Sequence, residues 1–162
     1  MGKTQYPPES ENQRKKSKRI NAFLGIEIAT GECFFEAHPK MKSDTVAQCF
    51  HNTAIALQQA GFQKVIYYLD QNPTHKNLMK YYFALLEKVD IQVEFRYIPA
   101  YSPKLNIVEF LIHNIRQKKL HHAPHNRNLD EIIIELTQYL HQKHTFTTEQ
   151  INNILDHIRK SV

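Results

Sequence analysis

The sequence predicts an α/β fold, a single domain in which helices flank a mixed sheet. Three observations lead there. Short runs rich in β-branched and aromatic residues occupy the front of the chain, segments with apolar residues at helical spacing separate them, and helical patterns alone fill the back. A length of 162 residues suits one domain with a real core and leaves little room for a second.

Taken in order, residues 1–18 carry Pro7-Pro8 and then the basic run Arg14-Lys-Lys-Ser-Lys-Arg19, with almost nothing apolar to bury. They read as a flexible basic leader, either a solvated tail or a contact for DNA phosphates. From Ile20 to Ile28 the residues favour a strand, Thr30-Gly31 supplies a turn, and Cys33-Phe-Phe-Glu-Ala37 returns. This pair predicts an antiparallel hairpin. Ser43-Asp44 offers a helix N-cap, and Val46, Ala47, Phe50, Ala54 and Leu57 recur at helical spacing until Gly61.

Val65–Leu69 is a continuous apolar run, as in a strand covered on both faces, and it ends at Asp70. Thr74 is placed to cap a helix whose inward stripe is Leu78, Tyr82, Leu85 and Leu86; Ile91–Ile98 then alternates with period two, as a half-covered strand should. Beyond a Pro-Ala-Tyr-Ser-Pro turn, Asn106 is an N-cap for a helix through Val108, Leu111, Ile112 and Ile115 into Arg116-Gln-Lys-Lys119. Two more helices follow, from Leu129 to about Gln142 and from Thr147 to about Arg159, the last capped by Thr147 or Thr148.

Composition narrows the class of protein. The 21 Lys+Arg against 16 Asp+Glu leave an excess of positive charge that suits a polyanion. Cys33 and Cys49 show no metal-ligand spacing and fall in core-like segments, which reads as two reduced, buried thiols. Without a secretory apolar segment or a run of about 20 apolar residues, a cytoplasmic protein is expected. His113, His121, His122 and His125 invite a zinc reading, but none pairs with Cys at finger spacing, and a solvated basic surface accounts for them as well.

Two carboxylates stand out. Asp70 closes one strand, and Glu109 lies just past the turn that follows another, with room between them for one helix, one strand and a loop. In an open α/β sheet the strand ends and the loops beyond them form the usual crevice for chemistry. Each acid also has a structural explanation, Asp70 as an Asx-turn and Glu109 as the acidic position of a capping box headed by Asn106.

The wording around the acids favours chemistry. Leu69-Asp70-Gln-Asn-Pro-Thr-His75-Lys76 and Pro99-Ala-Tyr101-Ser102-Pro103-Lys-Leu105-Asn106-Ile-Val-Glu109 resemble the second and third acidic motifs of DDE transposases of the mariner type, in their bacterial insertion-sequence branch. Arg19-Ile-Asn-Ala-Phe-Leu-Gly-Ile-Glu-Ile-Ala-Thr-Gly31-Glu resembles that family's second strand and hairpin, so the resemblance runs from about Arg19 to the end. It implies an RNase H-like mixed sheet, a leader over 1–18 and a catalytic domain over 19–162. It also implies DNA cleavage and strand transfer supported by two Mg²⁺ or Mn²⁺ ions that activate the attacking oxygen and stabilise the leaving one. Asp70 and Glu109 would be the catalytic metal ligands. His75, Lys76, Lys104, Asn106, Arg116, Lys118 and Lys119 would meet DNA, although the basic helix end reads equally as an ordinary charged face. The partners implied are the element's DNA ends and target, within a homodimer.

One departure matters. The family's first catalytic Asp lies on a strand before the hairpin, whereas no Asp precedes Asp44 here. Glu27 and Glu36 are poor substitutes, because they lie on a strand beside the missing one, displaced by a strand spacing of about 4.8 Å, and Glu32 lies beside the hairpin turn, on the wrong rim. The expectation is therefore a catalytic domain without its first strand, inactive alone and completed by an upstream transposase segment or a second chain. The rival reading is a non-enzymatic DNA-binding or interaction remnant.

Without a recognition domain, DNA affinity should be electrostatic and weakly sequence-dependent. In a salt titration of duplex binding, each neutralised phosphate is expected to contribute about −0.9 to the log–log slope. Tight, salt-insensitive binding to one sequence would contradict this.

Overall fold

In the computed structural model the described residues are 19–121, 127–142 and 146–160. Strands β1 (Ala22–Ile26) and β2 (Cys33–Ala37) form the expected antiparallel hairpin, with Ala22 opposite Ala37 and Ile26 opposite Cys33. The turn depends on Gly31, whose φ of +79° lies in the left-handed region. A Cβ there would stand 2.2 Å from the carbonyl oxygen of Phe146, so both the turn and its packing against the distant 146 loop exclude a side chain.

Helix α1 (Ser43–Gln59) follows, but its N-cap is Lys42 with no side-chain hydrogen bond rather than Ser43 or Asp44. Asp44 Oδ1 instead accepts from Thr45 N at 2.7 Å, inside the first turn. Gly61, with φ +95°, lies just past the C-cap Ala60, as its sequence position suggests.

Strand β3 (Lys64–Leu69) pairs in parallel with β4 (Gln92–Tyr97), Lys64 opposite Gln92 and Leu69 opposite Tyr97. Helices α2 (Pro73–Lys76) and α3 (Leu78–Leu86) connect them. The cap is Asn72, not Thr74: Asn72 Oδ1 accepts from Thr74 N at 3.0 Å, and Pro73 at the first helical position has no N–H to satisfy. Helices α4 (Ile107–Ile115), α5 (Leu129–Leu140) and α6 (Thr148–Lys160) complete the chain. Thr147 Oγ1 accepts from Gln150 N while Gln150 Oε1 accepts from Thr147 N, a reciprocal capping box at the start of α6.

The core is built in two layers. On one face, Phe23 of β1, Leu69 of β3, Val46, Ala47 and Phe50 of α1, and Leu78 and Tyr82 of α3 form one cluster. Phe50 is its hub, with ring centroids 5.0 Å from Phe23, 4.7 Å from Tyr67 and 5.5 Å from Phe95. On the other face Cys33 and Phe35 meet Leu111, Ile115, Leu136, Leu140 and Ile151 of the last three helices.

These last helices cover the hairpin rather than the β3–β4 pair, and that overturns one expectation. β3 is not covered on both faces: Leu69 is buried, but Tyr68 is 59% exposed and carries Arg96 against its ring and hydroxyl. The same outer face holds Glu94 between Lys64 at 3.0 Å and Arg96 at 2.7 Å.

The protein is a mixed α/β fold, and its sheet is divided. Among the described residues β1–β2 and β3–β4 are separate two-stranded sheets, with no ladder between β1 and β3. Instead the facing edges of β1 and β3 line a slot of about 690 Å³, with α1 on one side and α4 and α6 on the other. Ile28, Phe62 and Tyr68, three of the exposed large apolar residues, lie along it.

His51 is buried on α1 with its Nδ1 unpartnered. Burial, with a smaller contribution from Lys88, pushes its pKa below the usual imidazole value of 6.5. The folded protein therefore keeps His51 neutral while the unfolded chain takes up a proton as pH falls below that value, so stability declines in this window. Glu94 and Glu135, held below the ordinary 4.5 chiefly by hydrogen bonds from Arg96 and Arg127, act only at lower pH. Denaturant unfolding between pH 7 and 5 should show a loss of stability that His51→Leu flattens; an unchanged pH slope in the variant would count against this assignment.

Candidate active site

The site grows from the parallel ladder. Parallel strands deliver their carboxyl ends to the same edge, and here Ile98 N donates to Leu69 O at 2.8 Å as the two strands finish together. Asp70 is the next residue after β3. The chain leaving β4 runs through Pro99 to a 3₁₀ turn, Pro103–Leu105, and into α4. Asn106 caps α4, its Oδ1 accepting from Val108 N at 3.1 Å, which puts Glu109 in the first turn.

Asp70 and Glu109 line the same cleft of about 370 Å³, together with Lys76, Tyr101 and Asn106, and both also border the larger slot. Asp70 does close an Asx-turn, since its Oδ1 accepts from Asn72 N at 3.1 Å. The same oxygen lies 2.7 Å from His75 Nδ1. All of Asp70's described side-chain bonds use Oδ1, leaving Oδ2 unspent on a half-exposed side chain.

Glu109 stands at the capping-box position, yet the box is not closed. The Asn106 N–H that it would accept from donates instead to Pro103 O at 3.0 Å. Glu109 is exposed, with no side-chain hydrogen bond or ion pair among the described residues. Two hard carboxylate donors with unspent oxygens on one cleft suit Mg²⁺ or Mn²⁺, but they supply only two protein ligands.

Among the described residues, no neighbouring acid makes up the number. Both Glu27 oxygens are engaged in the hairpin turn, accepting from Ala29 N, Thr30 N and Thr30 Oγ1. Glu36 accepts from Asn52, and Glu32 lies at the turn itself. Among the described residues, Asp70 and Glu109 belong to no group of three or more metal-capable side chains.

The other sequence candidates separate. His75 lies on α2, orients Asp70, and has its own carbonyl held by Tyr97 OH at 2.9 Å; its ring meets Phe50 at 6.2 Å. Lys76 lies on the acidic cleft, whereas Lys104, Arg116, Lys118 and Lys119 line neither cleft. Lys119 turns to α5, 3.8 Å from Glu135 and 4.8 Å from the Tyr139 ring. Arg116–Leu120 continues α4 in wider π turns, with His121 N donating to Arg116 O at 2.7 Å. His113 is exposed, while the Arg14–Lys18 run, His122 and His125 lie outside the described residues.

Sequence reasoning passed over Tyr101 as a site residue. It is fully exposed at the cleft and holds φ +59°, a left-handed conformation rare for an aromatic residue. Nothing in the sequence beyond the Pro-Ala-Tyr-Ser-Pro turn signals it.

A family model described as a DDE superfamily endonuclease matches residues 1–133, and the chain belongs to that family. It is a DDE transposase-like protein, and the family's substrate is DNA. The match takes in β1 through α4 and the start of α5, with both acids; α6 lies beyond it. No curated protein matches the chain. No described helix is long and apolar enough to cross a membrane.

Glu109→Gln should leave stability within about 0.5 kcal/mol of the parent, because the carboxylate takes no part in the cap, whereas Asn106→Ala should cost about 1 kcal/mol. Thermal or denaturant unfolding checks both. A Glu109→Gln cost as large as that of Asn106→Ala would return Glu109 to a purely capping role.

Proposed function

We propose that this chain is the catalytic domain of a mariner-type transposase of the bacterial insertion-sequence branch, with an RNase H-like sheet whose central strand enters from outside the described residues. The observation that carries this reading is the slot. A strand placed between β1 and β3 would ladder to both free edges at about 4.8 Å each and turn two small sheets into one. It would also satisfy backbone groups that otherwise face an apolar cleft. Its end would border the same crevice as Asp70 and Glu109, where an Asp would make the third carboxylate.

In the completed site Asp70, Glu109 and that Asp would hold Mg²⁺ or Mn²⁺, which when bound supplies charge stabilisation and an activated attacking oxygen for phosphodiester chemistry. The chain's own part is placement. His75 fixes the Asp70 carboxylate, the α4 cap aims Glu109, and Lys76 at the cleft offers positive charge to a DNA phosphate. Lys104, Arg116 and Lys118, exposed away from the cleft, suit DNA farther from the cut. A homodimer on paired DNA ends, and a cytoplasmic site of action, belong to the same reading.

That the described residues bring two unspent acids to the cleft, and not three, favours a second reading, a DNA-binding remnant without competent metal ligation. Mg²⁺- or Mn²⁺-dependent cleavage of end-mimicking DNA by the purified chain, alone and with an Asp-bearing strand from the upstream coding sequence fused or added in trans, separates them. The proposed outcome is silence alone and cleavage on addition, reduced at least about a hundredfold by Asp70→Ala or Glu109→Gln. Cleavage by the chain alone that Asp70→Ala abolishes would mean that a local acid supplies the third ligand. DNA binding without cleavage in either arm would favour the remnant.

A further inference from the structure

A second set of metal-capable side chains lies on the hairpin's opposite edge and on α1. Glu36, the last but one residue of β2, and His38, just beyond the strand, are two apart and so project to one face. They meet Cys49, fully buried on α1. Cys49 Sγ is 3.6 Å from Glu36 Oε2 and 3.6 Å from His38 Nε2, and His38 Nε2 is 3.2 Å from Glu36 Oε2.

We propose that Glu36, His38 and Cys49 form a zinc site that clamps the end of the hairpin to helix α1. The three separations carry the argument. Tetrahedral Zn²⁺ with bonds of about 2.3 Å to sulfur and about 2.0–2.2 Å to nitrogen and oxygen sets its sulfur ligand about 3.5–3.7 Å from the other two. The same geometry puts nitrogen and oxygen about 3.3–3.5 Å apart. The observed triangle has these proportions, within about 0.1 Å, before any ion is added. Its donors, a thiol, an imidazole and a carboxylate, are the set that borderline Zn²⁺ accepts; the sulfur excludes Mg²⁺.

The surroundings are those of a supported site. Asn52 Nδ2 donates to Glu36 Oε1 at 3.1 Å, and Gln48 Nε2 donates to Asn52 Oδ1 at 2.9 Å. The same Asn52 nitrogen lies 3.4 Å from Glu36 Oε2, so this chain of amides holds the carboxylate chiefly by Oε1, the oxygen outside the triangle, as outer-shell partners of metal ligands do. His38 and Glu36 are about one-third exposed, at 33% and 30%, leaving an entry path and a fourth position for water. The site joins β2 to α1 next to Phe50, so an ion there ties the hairpin to the core on an edge where, among the described residues, no strand pairs with it.

The site is distinct from the Asp70–Glu109 cleft and does not rest on the transposase reading. The test is titration of the reduced, metal-free full chain with Co²⁺ as a spectroscopic stand-in, followed by displacement with Zn²⁺. One equivalent should bind with a thiolate-to-cobalt charge-transfer band and the intense visible bands of tetrahedral Co²⁺, displaced by Zn²⁺ and indifferent to Mg²⁺. Cys49→Ser should abolish the charge-transfer band, His38→Gln should weaken binding at least tenfold, and Asn52→Ala should weaken it about 10–100-fold. Cys33→Ser should leave the spectrum unchanged. His38→Gln and Asn52→Ala alter part-exposed and exposed positions, so they keep the test decisive if Cys49→Ser fails to fold. Absence of the charge-transfer band, its loss in Cys33→Ser, or affinity unaffected by His38→Gln would overturn the proposal.

Discussion

The parallel pairing of β3 with β4 is the constraint on which the candidate active site depends. Because the strands run the same way and finish together at Leu69 and Tyr97, the residues that follow them emerge at one edge. Asp70 needs no further device to reach the crevice. Glu109 needs a 3₁₀ turn and an Asn cap, both written into the segment between Pro99 and Asn106. An antiparallel pairing of the same strands would send these acids to opposite ends of the pair.

The hairpin is attached differently. It lacks a ladder to β3, and its place is set by side chains, with Phe23 and Phe34 packed towards α1 and Cys33 and Phe35 towards the last three helices. Apolar packing of this kind fixes distance less strictly than a ladder does, because it is non-directional. The two halves of the fold thus meet through the aromatic ring of Phe50 and its neighbours rather than through backbone hydrogen bonds.

Much of this was legible in the sequence because the signals are local. The hairpin around Thr30-Gly31, the stripe of α1, the Asn106 cap and the Thr147 cap all depend on residues a few positions apart. Thr74 is the wrong cap for α2: Asn72 and Thr74 both suit a cap by residue type, and Pro73, at the first helical position, is the cue that selects Asn72. The coverage of β3 depends on where α4, α5 and α6 settle, and an apolar run cannot report that. Cys49 read as an inert core thiol because its neighbours Glu36 and His38 come from another element. The Glu36-x-His38 spacing at the end of a strand is the one local clue, and it gains meaning only when α1 lies across it.

The shared use of Asp70 Oδ1 has a consequence for recognition. A surface carboxylate normally samples several rotamers, and ordering it when a cation arrives opposes binding. Here Asn72 and His75 have already settled the rotamer during folding. The entropy of that choice is therefore charged to the stability of the β3 turn and not to whatever later meets the free Oδ2.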